Sequence, residues 1–371
     1  MKVLVICDSF KGSLSSKMAN LAILTSLKKL NINAKSMCIS DGGEGFLESI
    51  NEKIKAEKIY LNLKNAYGKR DYNGYYLLKN NQAFFEMAEF AGIAQLDKNE
   101  RNPLKTSTFS LGIAIKNAIL KNVKEFVIGI GGSATNDAGT GMLNALGYEF
   151  LDEFNNPLNP IGENLIKIKS INDKNVLKEL KNITFKIAND VNNPLFGEYG
   201  AAYIYARQKG ASDEDIKLLD DGLRNFASIC KDYFKNDYSL ISGTGAAGGL
   251  GFGFKAFLNA EFLSGFSYIK NLINLEEEIK KADLIITGEG AFDEQSLMGK
   301  VIGEIHKICK NNNKKMMVFC GINNSNFDNS YSLIDYFKDK SQDELMNKDI
   351  AYKCLEELSF NIIKRKMNEK N

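Results

Sequence analysis

The chain reads as an α/β protein built on parallel strands. Two observations predict this. Short apolar runs alternate with stretches of helical periodicity, and each run ends in small or acidic residues. The runs are 2–7, 34–39, 126–130, 282–287 and 315–320. In open parallel sheets ligands bind beyond the carboxyl ends of the strands. Those ends carry Asp8, Asp41, the loop at Gly131, the loop at Gly288 and Gly321.

The first run, Val3-Leu4-Val5-Ile6-Cys7, is long enough for a buried strand and too short for a helix. Residues 13–30 then place Leu14, Met18, Leu21, Leu24 and Leu27 close to helical spacing. Between them lies Asp8-Ser9-Phe10-Lys11-Gly12-Ser13, and the second turn is Ser40-Asp41-Gly42-Gly43-Glu44-Gly45. A strand–turn–helix junction gathers backbone N–H groups that hold anions. A lysine adds point charge for phosphate, and aspartates can bind a divalent metal. Together they suggest phosphoryl transfer.

Two regions differ in texture. Residues 58–95 alternate like antiparallel strands, with Asn80-Asn81 as a hairpin turn. Residues 150–265 mix a Pro-containing loop, helices and a glycine-rich stretch. These read as a second α/β domain inserted into the first. The predicted division is 1–57 with 105–147 and 266–371, against 58–104 with 148–265. The tail, 343–371, reads as one amphipathic helix.

At 371 residues the chain has room for about two domains. Its 48 basic and 46 acidic residues leave a net charge of +2, which gives no sign of a nucleic-acid surface. Six cysteines without a CxxC pair predict reduced, buried thiols in a cytoplasmic protein. The N-terminus runs directly into a strand, so no signal peptide is expected. No apolar run approaches the roughly 18 residues of a membrane helix. The only histidine, His306, lies among Ile305, Ile308 and Cys309 in a predicted helix and reads as structural. That argues against a Ser-His-Asp triad or a His-based metal site. Any general base is then a carboxylate, Lys, Tyr or Cys.

Four further motifs carry polar groups. Gly129-Ile130-Gly131-Gly132-Ser133-Ala134-Thr135-Asn136-Asp137-Ala138-Gly139-Thr140-Gly141 combines glycines that admit a phosphate with hydroxyls and an Asp for metal or substrate. Thr287-Gly288-Glu289-Gly290-Ala291-Phe292-Asp293, read as a loop after the strand, continues to Lys300. Asp190 follows an alternating apolar run, as either a site or an ordinary Asx-Pro turn. Gly243-Thr244-Gly245-Ala246-Ala247-Gly248 matches GxGxxG, but no clear strand precedes it. The glycine run to Gly253 is either a wall of a cleft or tight packing. No Walker A sequence exists, and His306 is not followed by Arg-Asp, so neither common kinase type fits.

These pieces together resemble the bacterial glycerate kinase family. The matching blocks are 8–13, 40–46, 101–108, 130–141, 189–200, 208–211, 245–251 and 287–300, in the family's order. Arg207 stands where the family usually has proline, and residues after 321 match only loosely. The resemblance implies ATP-dependent phosphorylation of D-glycerate with Mg2+. It also implies two α/β domains, one flavodoxin-like, with the active site in the cleft between them.

On that reading Ser9, Lys11, Gly131, Gly132, Ser133, Thr135, Gly288 and Glu289 hold the nucleotide. Lys11 also offsets charge on the transferring group. Arg101, Lys105 and Lys209 are the candidates for the substrate carboxylate, with Asp41 and Asp137 near substrate or metal. Asp190 is the expected base, Asp293 the second candidate. Asp8, Asp41 and Asp293 are the metal candidates. The expected product is 2-phosphoglycerate, with 3-phosphoglycerate the alternative. Two other readings compete: a nicotinamide-dependent dehydrogenase using Gly243–Gly248, and a non-catalytic sensor of a phosphorylated acid. No membrane or nucleic-acid partner is expected, and a homo-oligomer stays open.

Overall fold

The computed structural model describes residues 1–297 and 301–369. The chain divides into two compact units, Met1–Lys55 with Phe266–Asn371, and Ala56–Gly265. The strands follow that division. The first unit opens with β1 (Lys2–Val5) and β2 (Asn33–Ser36). The second unit holds β3 (Glu57–Lys64), β4 (Asp71–Lys79), β5 (Gln82–Glu86), β6 (Glu125–Gly129), β7 (Glu149–Leu151), β8 (Ser170–Asn172), β9 (Thr184–Ala188) and β10 (Glu261–Leu263). The first unit then resumes with β11 (Leu284–Asp293), β12 (Lys315–Asn324) and β13 (Ser330–Ser332).

In the first unit the sheet order is β13-β12-β11-β1-β2, and every pairing is parallel. Counted within the unit this is the flavodoxin-like order 2-1-3-4-5, whose switch point lies between β1 and β11. Val3, Val5, Ile286, Met317 and Phe319 form one buried face with helices Ser16–Lys29 and Lys348–Asn368. The alternate residues Leu4, Ile6, Ile285 and Val318 are equally buried. Helices Leu275–Lys281 and Val301–Asn311 pack on these strands. Burial on both faces is why β1 and β12 read as unbroken apolar runs rather than alternation.

The second unit has a six-stranded sheet, β10-β9-β6-β5-β4-β3. β5, β6, β9 and β10 run parallel, while β3 and β4 are antiparallel additions. The Asn80-Asn81 hairpin is present: Lys79 pairs with Gln82, and Asn80 takes a φ of 53°. A row of aromatic rings crosses one face of this sheet. Tyr76 stacks on Phe85 at 4.7 Å between centroids, Phe85 meets Phe126 at 5.7 Å, and Phe126 stacks on Phe185 at 5.0 Å. Such cross-strand pairs fix register, because a one-residue slip would turn each ring to the other face.

Three expectations need correction. The sequence reading places residues 105–147 in the flavodoxin-like domain, but they lie in the second unit. There β6 is sandwiched between β5 and β9 and Phe126 joins the aromatic row. The segment 287–293 is strand rather than loop, because β11 stays paired with β12 as far as Asp293 opposite Asn324. The tail is two helices, Gln342–Met346 and Lys348–Asn368. Asn347 separates them, its side chain capping the second by accepting from the N–H groups of Asp349 and Ile350.

The aromatic row generates a prediction. Phe126→Ala removes a fully buried ring with neighbours on both sides and should cost about 3–5 kcal/mol of stability, read by urea denaturation.

Candidate active site

In the first unit, the carboxyl ends of β1, β2 and β11 open onto a cavity of about 390 Å³. It lies at the switch point, where adjacent loops diverge and leave room for a ligand. Asp8, Ser9, Lys11, Asp41 and Glu289 line it. The Asp8 amide donates to the carbonyl of Gly288, so the β1–β11 register extends into the turn. Gly288 is there for closeness: a Cβ would sit 2.1 Å from the Phe319 carbonyl oxygen.

Asp8 is almost entirely buried. Its carboxyl is pushed up to about 8, mainly by desolvation and then by the charge of Asp41, with Glu289 adding to it. The N–H of Ser9, donating to Asp8 at 2.7 Å, and the charge of Lys11 work in the other direction. A cluster of carboxylates that resist ionising together is a place where a cation gains much. Among the described residues no three acidic, Cys or His side chains converge tightly enough to ligate an ion alone. Magnesium typically takes one or two carboxylates and completes its shell with waters and substrate phosphates. Asp8 and Asp41 are the residues that fit it. Asp293 is not among the residues lining the cavity; its carboxylate accepts from the N–H and hydroxyl of Ser296. Lys300 lies outside the described residues.

In the second unit the registers set Glu86, Gly129 and Ala188 side by side. The chain continues from them into the Gly131 loop and Asn189-Asp190, so these share one sheet edge. Asp190 is exposed there, just past β9. The loop's frame is buried. Asp137 accepts from the N–H of Thr108 at 2.7 Å, its hydroxyl at 2.8 Å, and the N–H groups of Gly139 and Gly141 at 3.2 Å. With no exposure and four donors, Asp137 holds the loop rather than meeting a metal or substrate. Burial still raises its carboxyl.

Lys209 is the other buried charge. Its ammonium donates to the Ser133 hydroxyl oxygen and to the Thr135 carbonyl, each at 2.7 Å. Desolvation pulls its pKa down to about 7, opposed by the charge of Asp137. Gly210, at φ 95°, lets this turn close on Arg101: a Cβ would lie 2.2 Å from the Arg101 carbonyl oxygen. Arg101 and Lys209 are therefore brought together, whereas Lys105 is exposed and paired with Glu163 at 2.5 Å. Gly132 is spent on structure through its carbonyl, which accepts from Ile93.

The run 243–253 is packing, not a dinucleotide loop. A Cβ on Gly248 would lie 2.0 Å from the Thr135 carbonyl oxygen, and one on Gly253 2.7 Å from that of Ala138. The glycines let the left-handed turn 247–249 and the helical residues that follow it, within Ala246–Leu258, lie directly on the Gly131 loop. His306 is structural, edge-on to Phe327 at 5.4 Å. The six cysteines are free and buried.

Sequence reasoning missed Thr106 and Thr108 as anchors of the loop, the former donating to the Ala134 carbonyl at 2.8 Å. It also missed Leu333, Ile334, Gln342, Leu345 and Met346, which wall the first unit's cavity. The Ser341-x-x-Glu344 capping box was a usable signal for the short helix that carries the last three.

A flavodoxin-like sheet with a lysine and clustered carboxylates at its switch point, and a separate glycine loop backed by a buried lysine, define an α/β phosphotransferase. The chain belongs to the glycerate kinase family, whose model matches residues 3–361. A glycerate kinase of Halalkalibacterium halodurans is 37% identical over 84% of this chain and 83% of its own. A glycerate 2-kinase of Escherichia coli K12 is 34% identical over 86% and 85%. A crystal structure from Salmonella typhimurium LT2, described as a candidate glycerate kinase 2, aligns over the whole of both chains with a TM-score of 0.76 and 31% identity. The protein is thus an enzyme, a phosphotransferase with an alcohol group as acceptor. No helix among the described residues is long and apolar enough to cross a membrane.

The buried lysine sets a pH dependence. Between pH 7 and 10.5 the unfolded chain carries a proton on Lys209 that the folded chain has shed. Stability therefore gains a rising component with pH across that window. Denaturation midpoints of the wild type against Lys209→Met should show the component in the former and not in the latter.

Proposed function

We propose that the protein transfers the γ-phosphoryl group of ATP to D-glycerate, giving 2-phosphoglycerate, with Mg2+ required. The observation that carries this reading is the first unit's cavity, where Lys11 stands among Asp8, Asp41 and Glu289. Lys11 and the backbone of the 8–13 turn hold phosphates, with Ser9 and the Gly288-Glu289 stretch beside them. Asp8 and Asp41 would hold magnesium, which would supply charge neutralisation at the phosphates. The requirement here is positioning and charge compensation, with little covalent work for the protein.

The second unit supplies the acid's site. Glycerate carries a carboxylate, and such a group needs donors with positive charge behind them. Lys209 donates to the Ser133 oxygen, which turns the Ser133 hydroxyl proton outward as a donor. An anion at the Gly131–Ser133 loop favours the charged form of Lys209, so acid binding draws a proton onto that amine. Arg101, beside the Lys209 turn, is the second cation. Asp190 orients the acceptor hydroxyl and takes its proton. The 2-position follows the Escherichia coli relative, a glycerate 2-kinase.

The test is a coupled assay with ATP, magnesium and D-glycerate, the product passed to enolase. Absorbance from phosphoenolpyruvate establishes the kinase and the 2-position. ADP without that signal means 3-phosphoglycerate, and no ADP removes the reading. Asp190→Asn should lower kcat by about 10²–10⁴ while the KM for ATP stays near wild type. Near-normal turnover would remove Asp190 as the base.

A further inference from the structure

The cavity of the first unit has two kinds of wall. Its charged groups come from the turns after β1 and β2 and from β11. The opposite chemistry comes from the end of β12 and the segment after it: Ile322, Leu333, Ile334, Leu345 and Met346. Leu333 and Leu345 are anchored in the core of the unit, while Met346 is 43% exposed. The two walls abut. Gly12, next to Lys11, takes a φ of 79°, and a Cβ on it would lie 3.0 Å from the Met346 methyl carbon. The Ser13 hydroxyl lies 3.5 Å from the Leu345 carbonyl oxygen. The helix Gln342–Met346 is therefore seated on the lysine-bearing turn.

We infer that this apolar wall is the seat of the nucleotide's purine and ribose, so that the C-terminal segment 322–346 selects the nucleoside. The inference rests on the proposed ATP-dependent reaction. A three-carbon acid has no surface that a wall of Leu, Ile and Met would recognise, and a phosphate chain has none either. At about 390 Å³ the cavity falls in the range of nucleoside-sized ligand sites, roughly 300–1,000 Å³. A purine has two apolar faces and a polar edge. Methionine suits the faces, because its thioether is polarisable and adapts to aromatic surfaces. Gln342, on the same short helix as Leu345 and Met346, brings an amide that both donates and accepts. That pattern matches the amino group and ring nitrogen of adenine, whereas guanine offers two acceptors on the same edge. Adenine is accordingly the preferred base.

Calorimetric titration of the full-length protein tests this with three probes: Mg-ADP, adenosine and inorganic tripolyphosphate. Met346→Ala, at a partly exposed position, should weaken adenosine and Mg-ADP by about fivefold or more through lost apolar contact. Tripolyphosphate binding should stay unchanged, and the KM for ATP should rise with the KM for glycerate unmoved. Gln342→Ala should narrow the preference for ATP over GTP. Equal affinity of wild type and Met346→Ala for adenosine, or no adenosine binding where tripolyphosphate binds, overturns the inference. Because these titrations need no turnover, they stand apart from the reaction. Purine binding at this wall with no glycerate phosphorylation would sink the proposed function alone.

Discussion

Two buried charges hold the glycine loop of the second unit, and the loop's shape depends on them. Asp137 gathers four donors from Thr108, Gly139 and Gly141, and Lys209 ties Ser133 to the Thr135 carbonyl. Both are buried from solvent, so each holds only because backbone groups and hydroxyls supply its partners. The two differ in consequence. Asp137 has its donors in place and is a fixed anchor. Lys209 leans on a hydroxyl and a carbonyl, both neutral, and its charge is therefore negotiable near neutral pH. In the proposed role, a negotiable charge behind that loop would couple binding of the acid to protonation of Lys209.

The first unit solves a related problem with the opposite sign. Its parallel sheet brings Asp8, Asp41 and Glu289 to one cavity. Burial and mutual repulsion make Asp8 reluctant to ionise. In an empty protein that arrangement is a cost. In the proposed reaction it would become a gain, because a cation arriving with the nucleotide's phosphates would relieve that repulsion. Close-packed glycines make both arrangements possible. Gly288 admits the β12 backbone to β11, and Gly248 and Gly253 admit a helix to the Gly131 loop.

Much of this was legible in the sequence, and the failures have physical causes. Strand ends with Asp or Gly were readable because parallel strands buried on both faces are short, apolar and sharply terminated. The Asn80-Asn81 turn was readable because asparagine tolerates positive φ. The partner of a strand is not local information: β6 has the same apolar run whichever sheet it joins, and only Phe85 and Phe185 on either side of Phe126 decide it. The extension of β11 to Asp293 was hidden because Gly288 and Gly290 look like loop residues. They are needed instead for close approach between backbones. Asp137 looked like a ligand because its four donors come from the loop itself and from Thr108, twenty-nine residues away. The apolar cavity wall was invisible because its residues gain meaning only from their position against the Lys11 turn.

The account turns on Lys209 being an amine whose charge is in balance near neutral pH and which an acid recharges. The direct measurement is an NMR titration of its side chain, assigned by comparison with Lys209→Met, in the absence and presence of D-glycerate. The prediction is a midpoint near pH 7 in the free protein that moves upward when glycerate is added. A midpoint near the ordinary lysine value, unmoved by the acid, would contradict it.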